Sequence, residues 1–222
     1  MTGEADAATP RLPLSQRTAR ARLIIVARAQ DARDYDRVLE ALIESGIRSV
    51  ELTLTTPGTI ERLPEIVARF GSDADIGVGT VTDDAQLRAA IAAGAQYIVT
   101  PITDPRLVAT SIELGVPIVP GGLTPTELYS SWRAGASAVK VFPAGQVTAG
   151  YVKDLRGPFP GIEVIPSGGV DLTGAAKWLS AGAAAVSVGG PLLGDAFHGG
   201  DLMALRARAA AFVDACAPGG EA

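Results

Sequence analysis

Leu23-Ile24-Ile25-Val26-Ala27-Arg28-Ala29-Gln30 is the stretch on which the fold turns. Five apolar residues, three of them β-branched, read as a short strand covered on both faces, as in a parallel sheet. An open doubly wound sheet places a glycine fingerprint directly after its first strand. Arg28-Ala29-Gln30 carries none. Outward from here the pattern repeats, with strands expected at 49–55, 75–78, 97–100, 117–119, 138–142, 163–165 and 184–188. A helical stretch follows each strand except the sixth, which leads through a less regular run past Tyr151 and Leu155. Thr124, Pro125 and Glu127 mark a capped helix start after the fifth strand. Glycines gather after strands three, five, seven and eight, not after the first. Eight strands in β/α alternation, irregular only after the sixth, predict a single-domain (β/α)8 TIM barrel. Residues 1–20 read as a flexible N-terminal tail, 21–217 as the barrel and 218–222 as a flexible C-terminal tail.

The totals narrow the function classes. A chain of 222 residues, 47% hydrophobic, can fill one large core. Its net charge of -5 argues against a nucleic-acid partner. Cys216 is the one cysteine, so no internal disulfide forms and a reducing cytoplasm suits the chain. In the apolar last helix it reads as a packing residue. His198 is the one histidine, which disfavours His-rich metal sites. No apolar run reaches a membrane span, and residues 1–16 lack the apolar core of a signal peptide.

Strand parity then sorts the side chains. Val50, Leu52 and Leu54 share one face and suit packing under helices, which turns Ser49, Glu51, Thr53 and Thr55 towards the barrel interior. In Ala138-Val139-Lys140-Val141-Phe142-Pro143-Ala144, Val139 and Val141 take the helix side, leaving Ala138, Lys140 and Phe142 inward. A buried Glu51–Lys140 ion pair is one outcome, though such pairs seldom stabilise a fold. Schiff-base chemistry is the other: an amine attacks a carbonyl while a carboxylate moves protons. A phosphate-binding isomerase or synthase using Glu51 as base without an imine, and a non-catalytic ligand-binding barrel, are weaker alternatives. The turns Ser167-Gly168-Gly169 and Gly189-Gly190 follow strands seven and eight, where barrels commonly hold phosphate.

Several motifs, in this order, resemble the KDPG/KHG aldolase family of class I pyruvate aldolases. They are Glu51-Leu52-Thr53-Leu54-Thr55-Thr56, Gly77-Val78-Gly79-Thr80-Val81, Val99-Thr100-Pro101, Pro120-Gly121-Gly122, Val139-Lys140-Val141-Phe142-Pro143-Ala144 and Pro166-Ser167-Gly168-Gly169-Val170. The resemblance spans nearly the whole chain from Leu23. It implies a carbon–carbon lyase that cleaves a 2-keto-3-deoxy (phospho) sugar acid or a 4-hydroxy-2-oxo acid to pyruvate and an aldehyde. Lys140 would form the Schiff base and Glu51 would serve as acid and base. Thr80, Pro101 and Phe142 would line the keto-acid pocket, and Ser167, Gly168, Gly169, Gly189 and Gly190 would hold the distal end. It further implies a cytoplasmic homotrimer acting on a small keto acid, with no metal or cofactor and neither nucleic acid nor membrane as partner. Two positions depart from the KDPG pattern. Thr55 stands where many relatives carry a carboxylate-binding arginine, so Arg28, at the end of the first strand, is expected to take over that contact. Ser167 replaces a threonine and keeps the hydroxyl.

Overall fold

The computed structural model describes residues 11–218. In chain order it runs α1 (Gln16–Ala21), β1 (Leu23–Ala27), α2 (Tyr35–Glu44), β2 (Ser49–Thr53), α3 (Thr59–Phe70) and β3 (Asp75–Gly79). Next come α4 (Asp84–Ala92), β4 (Ile98–Val99), α5 (Pro105–Glu113), β5 (Ile118–Val119), β6 (Gly121–Gly122) and α6 (Pro125–Arg133). The chain continues with β7 (Val139–Val141), α7 (Tyr151–Arg156), β8 (Val164–Pro166) and α8 (Leu172–Ser180). It closes with β9 (Val186–Val188), α9 (Gly190–Leu193) and α10 (Leu202–Cys216).

All strand pairs are parallel. β5-β4-β3-β2-β1-β9 form one curled six-stranded sheet, and β6-β7-β8 form a second of three strands. The fifth expected strand ends at Val119 as β5, and the glycine turn expected after it holds a further short strand, β6. Pro120 separates them because it has no N–H to give a ladder. It still accepts, through its carbonyl, from Lys140 N at 2.8 Å. On the other side a parallel bridge joins Ser167 to Ser187, and Ala184 N donates to Val164 O at 2.9 Å.

Two apolar clusters follow from strand parity. Val50, Leu52, Val139 and Val141 belong to the large one, which fills the space between sheet and helices. Ile24, Tyr97, Val99, Val119, Ala138, Ile165 and Ala185 form a smaller one, drawn from the opposite faces of six strand segments, and fill the interior. Interior glycines make room there. A Cβ on Gly77 would fall 2.4 Å from the Tyr97 ring. The helix-start signal also holds: Thr124 Oγ1 accepts from Glu127 N, and Glu127 Oε2 accepts from Thr124 N at 2.8 Å.

Three local expectations need correction. Residues 11–20 are not a loose tail. The side chain of Ser15 caps α1, and Ser15 and Thr18 hydroxyls both donate to the Asp75 carboxylate, with Arg17 Nη1 3.2 Å from it. Arg11 lies over the Trp132 ring at 3.3 Å. Asp75 is buried at the start of an interior-facing register and needs those donors, and that need orders the segment. Residues 1–10 and 219–222 of the expected tails lie outside the described residues. The irregular run after β7 contains the short helix α7, and a short α9 follows the last strand. β2 stops at Thr53, where Thr56 N turns back to Thr53 O at 3.0 Å, so Thr55 leaves the inward register and is exposed.

Candidate active site

Glu51 and Lys140 come from different sheets and meet in the interior. Glu51 sits in mid-β2, paired with Gly77 on β3 and Val26 on β1. Lys140 sits in mid-β7 between Gly121 and Ile165. Lys140 Nζ lies 3.7 Å from Glu51 Oε1, and the two residues are only 6% and 1% exposed. At that distance the ion pair is loose, and Glu51 Oε2 has no hydrogen-bond partner among the described residues. Buried carboxylate oxygens are normally satisfied, so an open one is either a cost without return or an acceptor kept for a reacting group. The Phe142 ring lies 5.3 Å from Nζ and covers one side.

The backbone is shaped to admit the carboxylate. A Cβ on Gly79 would stand 1.8 Å from Glu51 Oε1, so only glycine fits beside it. Thr80 follows with φ of 62°, a left-handed conformation that costs a β-branched residue energy. Gly121 is similarly constrained, with its Cβ position 2.7 Å from Thr100 O. Beneath Glu51, Ser49 Oγ donates to Tyr97 Oη at 3.1 Å, and burial pushes the Tyr97 phenol well above its usual range.

A cleft of about 510 Å³ opens over the pair. Glu51, Lys140, Thr80, Pro101 and Phe142 line it, as do Ser167, Gly168 and Gly169 after β8 and Gly189 and Gly190 after β9. Gly168 and Gly169 have φ of 81° and 82°, and a Cβ on Gly168 would press on Phe142 at 3.2 Å. That consecutive left-handed pair is open to glycine at little cost. Arg28 lines the cleft from the end of β1, with Val26 in the same register. Of the expected residues only Thr55 lies outside it; its hydroxyl donates to Thr53 Oγ1 at 3.1 Å. The sequence reading missed Val26, Ser187, Pro191, Phe197 and His198 in the lining. Parity could have found two of them, since Val26 shares a face with Ile24 and Ser187 with Ala185. Nothing periodic marks the segment around His198.

No group of three or more His, Cys, Asp or Glu side chains able to hold a metal occurs among the described residues. No helix among them is long and apolar enough to cross a membrane.

Known proteins are similar to this chain over most of its length. The family model for KDPG and KHG aldolase matches residues 14–207. The 2-dehydro-3-deoxy-6-phosphogalactonate aldolase of Escherichia coli K12 is 35% identical over 177 residues, 79% of this chain and 84% of that one. A native KDPGal structure superposes with a TM-score of 0.81 at 33% identity, covering 87% of this chain and 93% of its own. The KDPG aldolase of Legionella pneumophila, with pyruvate captured at low pH as a covalent carbinolamine intermediate, gives 0.79 at 28% identity, covering 87% and 94%. A match running from ahead of α1 into α10, over a fold of the same shape, leaves one conclusion: the chain belongs to the KDPG and KHG aldolase family.

Proposed function

We propose that this protein is a class I aldolase that releases pyruvate from a 2-keto-3-deoxy sugar acid, or from a 4-hydroxy-2-oxo acid, through a Schiff base on Lys140. The observation that carries the reading is the buried Lys140–Glu51 pair, 3.7 Å apart at the base of the cleft, with Glu51 Oε2 open. The names of the relatives support the substrate class, and the captured carbinolamine of the Legionella enzyme supports the chemistry.

In this scheme the neutral Lys140 amine adds to the C2 carbonyl, giving a carbinolamine. Loss of water forms the iminium, with Glu51 donating the proton to the departing hydroxyl. Glu51, ionised again, removes the proton of the C4 hydroxyl. The C3–C4 bond breaks, its electron pair moves to the iminium nitrogen, and the aldehyde leaves. The resulting enamine takes a proton at C3 from Glu51. Water then adds to the iminium carbon, and collapse frees pyruvate and Lys140. A carboxylate with one oxygen near the amine and the other unpartnered is suited to each of these transfers.

Arg28 takes the substrate carboxylate in this reading, in line with its place on the cleft and the position of Thr55 outside it. The two sheets act as arcs of one (β/α)8 barrel, joined through the short break at Pro120 and the Ser167–Ser187 bridge. The family resemblance supports a homotrimer in the cytoplasm, which light scattering of the purified protein tests for subunit number.

Incubation with pyruvate and borohydride is expected to fix a reduced pyruvyl group on Lys140, read by peptide mass. Absence of that adduct, under conditions that label a known class I aldolase, overturns the reading and favours Glu51 acting without an imine.

A further inference from the structure

We propose that His198 is a specificity residue that binds the phosphate group at the distal end of a phosphorylated substrate. The inference rests on the aldolase reading and goes beyond it. Among the described residues, three side chains able to carry positive charge line the cleft: Arg28, Lys140 and His198. Lys140 is consumed in the imine, and Arg28, at the end of β1, serves the carboxylate. The glycine rim itself offers only neutral groups, among them the hydroxyls of Ser167 and Ser187, whose oxygens lie 3.2 Å apart. A phosphate ester brings up to two negative charges to a rim without a fixed cation. Among the described residues, His198 is the side chain there that can meet them with a positive charge of its own.

The backbone that carries His198 is also held in place before any substrate arrives. It closes a single helical turn, Ala196–His198, in which His198 N donates to Asp195 O at 2.8 Å. Arg37 on α2 grips both flanks of the histidine, its Nη2 donating to Ala196 O and to Gly200 O at 3.3 Å each. Phe197 is buried and meets the Tyr35 ring edge-on at 5.9 Å. One turn back, Arg208 donates to Leu192 O at 2.6 Å and Leu193 O at 2.9 Å. The backbone on both sides of His198 is therefore anchored, while the imidazole itself is exposed on the cleft. Such preorganisation is what a binding group needs and an idle surface side chain does not.

Pyruvate release is measured on the whole protein with a phosphorylated 2-keto-3-deoxy sugar acid, its unphosphorylated counterpart, and 4-hydroxy-2-oxoglutarate with its distal carboxylate. For His198→Ala, the phosphorylated-to-unphosphorylated ratio of kcat/KM is expected to fall about tenfold or more, through KM, as for loss of a charge-assisted contact. His198→Arg should recover most of that ratio. An unchanged ratio overturns the proposal, as does an equal fall on all three substrates, which marks a structural role. A fall as large for the carboxylate substrate as for the phosphate overturns the phosphate assignment. Borohydride trapping with pyruvate runs alongside. An unlabelled wild type removes the aldolase reading itself, whereas a labelled wild type with an unmoved ratio removes only the role of His198.

Discussion

Two buried carboxylates on neighbouring strands have opposite fates. Asp75 opens β3 and Glu51 sits in the middle of β2, one step further along the same inward register, since Ser49 pairs with Asp75 and Glu51 with Gly77. Asp75 is sealed: Ser15 and Thr18 hydroxyls and the Arg17 guanidinium surround it. Glu51 is equally dry yet keeps one loose partner and one open oxygen. A carboxylate that only holds a fold together collects all the donors it can. One that works on a substrate must leave some capacity unspent, so the proposed mechanism divides stability and reactivity between the two ends of one interior.

Substitutions at both ends can break that contrast. Lys140→Met should remove pyruvate release, a loss of about a thousandfold or more expected when a covalent nucleophile is deleted, and a coupled assay for pyruvate reads it directly. Glu51→Gln should lower kcat by roughly a hundredfold to ten-thousandfold, the range for a general acid–base group, with little change in denaturation midpoint. Retained activity there would remove Glu51 from the mechanism. Asp75→Asn should do the reverse, costing about 1–3 kcal/mol in urea unfolding while kcat stays near wild type. A kcat loss at Asp75 to match that at Glu51 would erase the distinction. Gly79→Ala tests how finely the reactive end is fitted. Its methyl would displace the Glu51 carboxylate, so kcat should fall although the stability cost is only about 1–3 kcal/mol. Smallest is the response of Cys216. Burial pushes its thiol up to about 11, so it stays protonated below that pH, and alkylation of the folded protein at pH 8 should be negligible.

Much of this was legible in the sequence because period and parity are local. The apolar run 23–27 reads as a strand with the bounds that β1 has, and the alternation through Glu51 and Lys140 turns both inward. The Thr124–Glu127 cap could be read from residue types alone. What escaped depended on distant partners. Ser15 and Thr18 look like linker residues until Asp75 is seen to need them, and His198 sits in a loop whose position is fixed by Arg37, some 160 residues away. Thr55 failed for another reason: parity counts on while the chain keeps its strand, and a turn at Thr53 ended the count.

The Tyr97 plug has a consequence for proton traffic. Tyr97, Ile24, Val99, Val119, Ala138 and Ile165 are each at most 2% exposed, and the missing side chain of Gly77 makes room for the aromatic ring. Among the described residues, Glu51 stands with this apolar plug on one side and the cleft on the other. In the proposed mechanism the protons it gives or takes pass through the cleft, past whatever molecule occupies it. A substrate seated there would cut the carboxylate off from bulk solvent, and in the proposed mechanism the proton taken from the C4 hydroxyl becomes the natural one to return to C3.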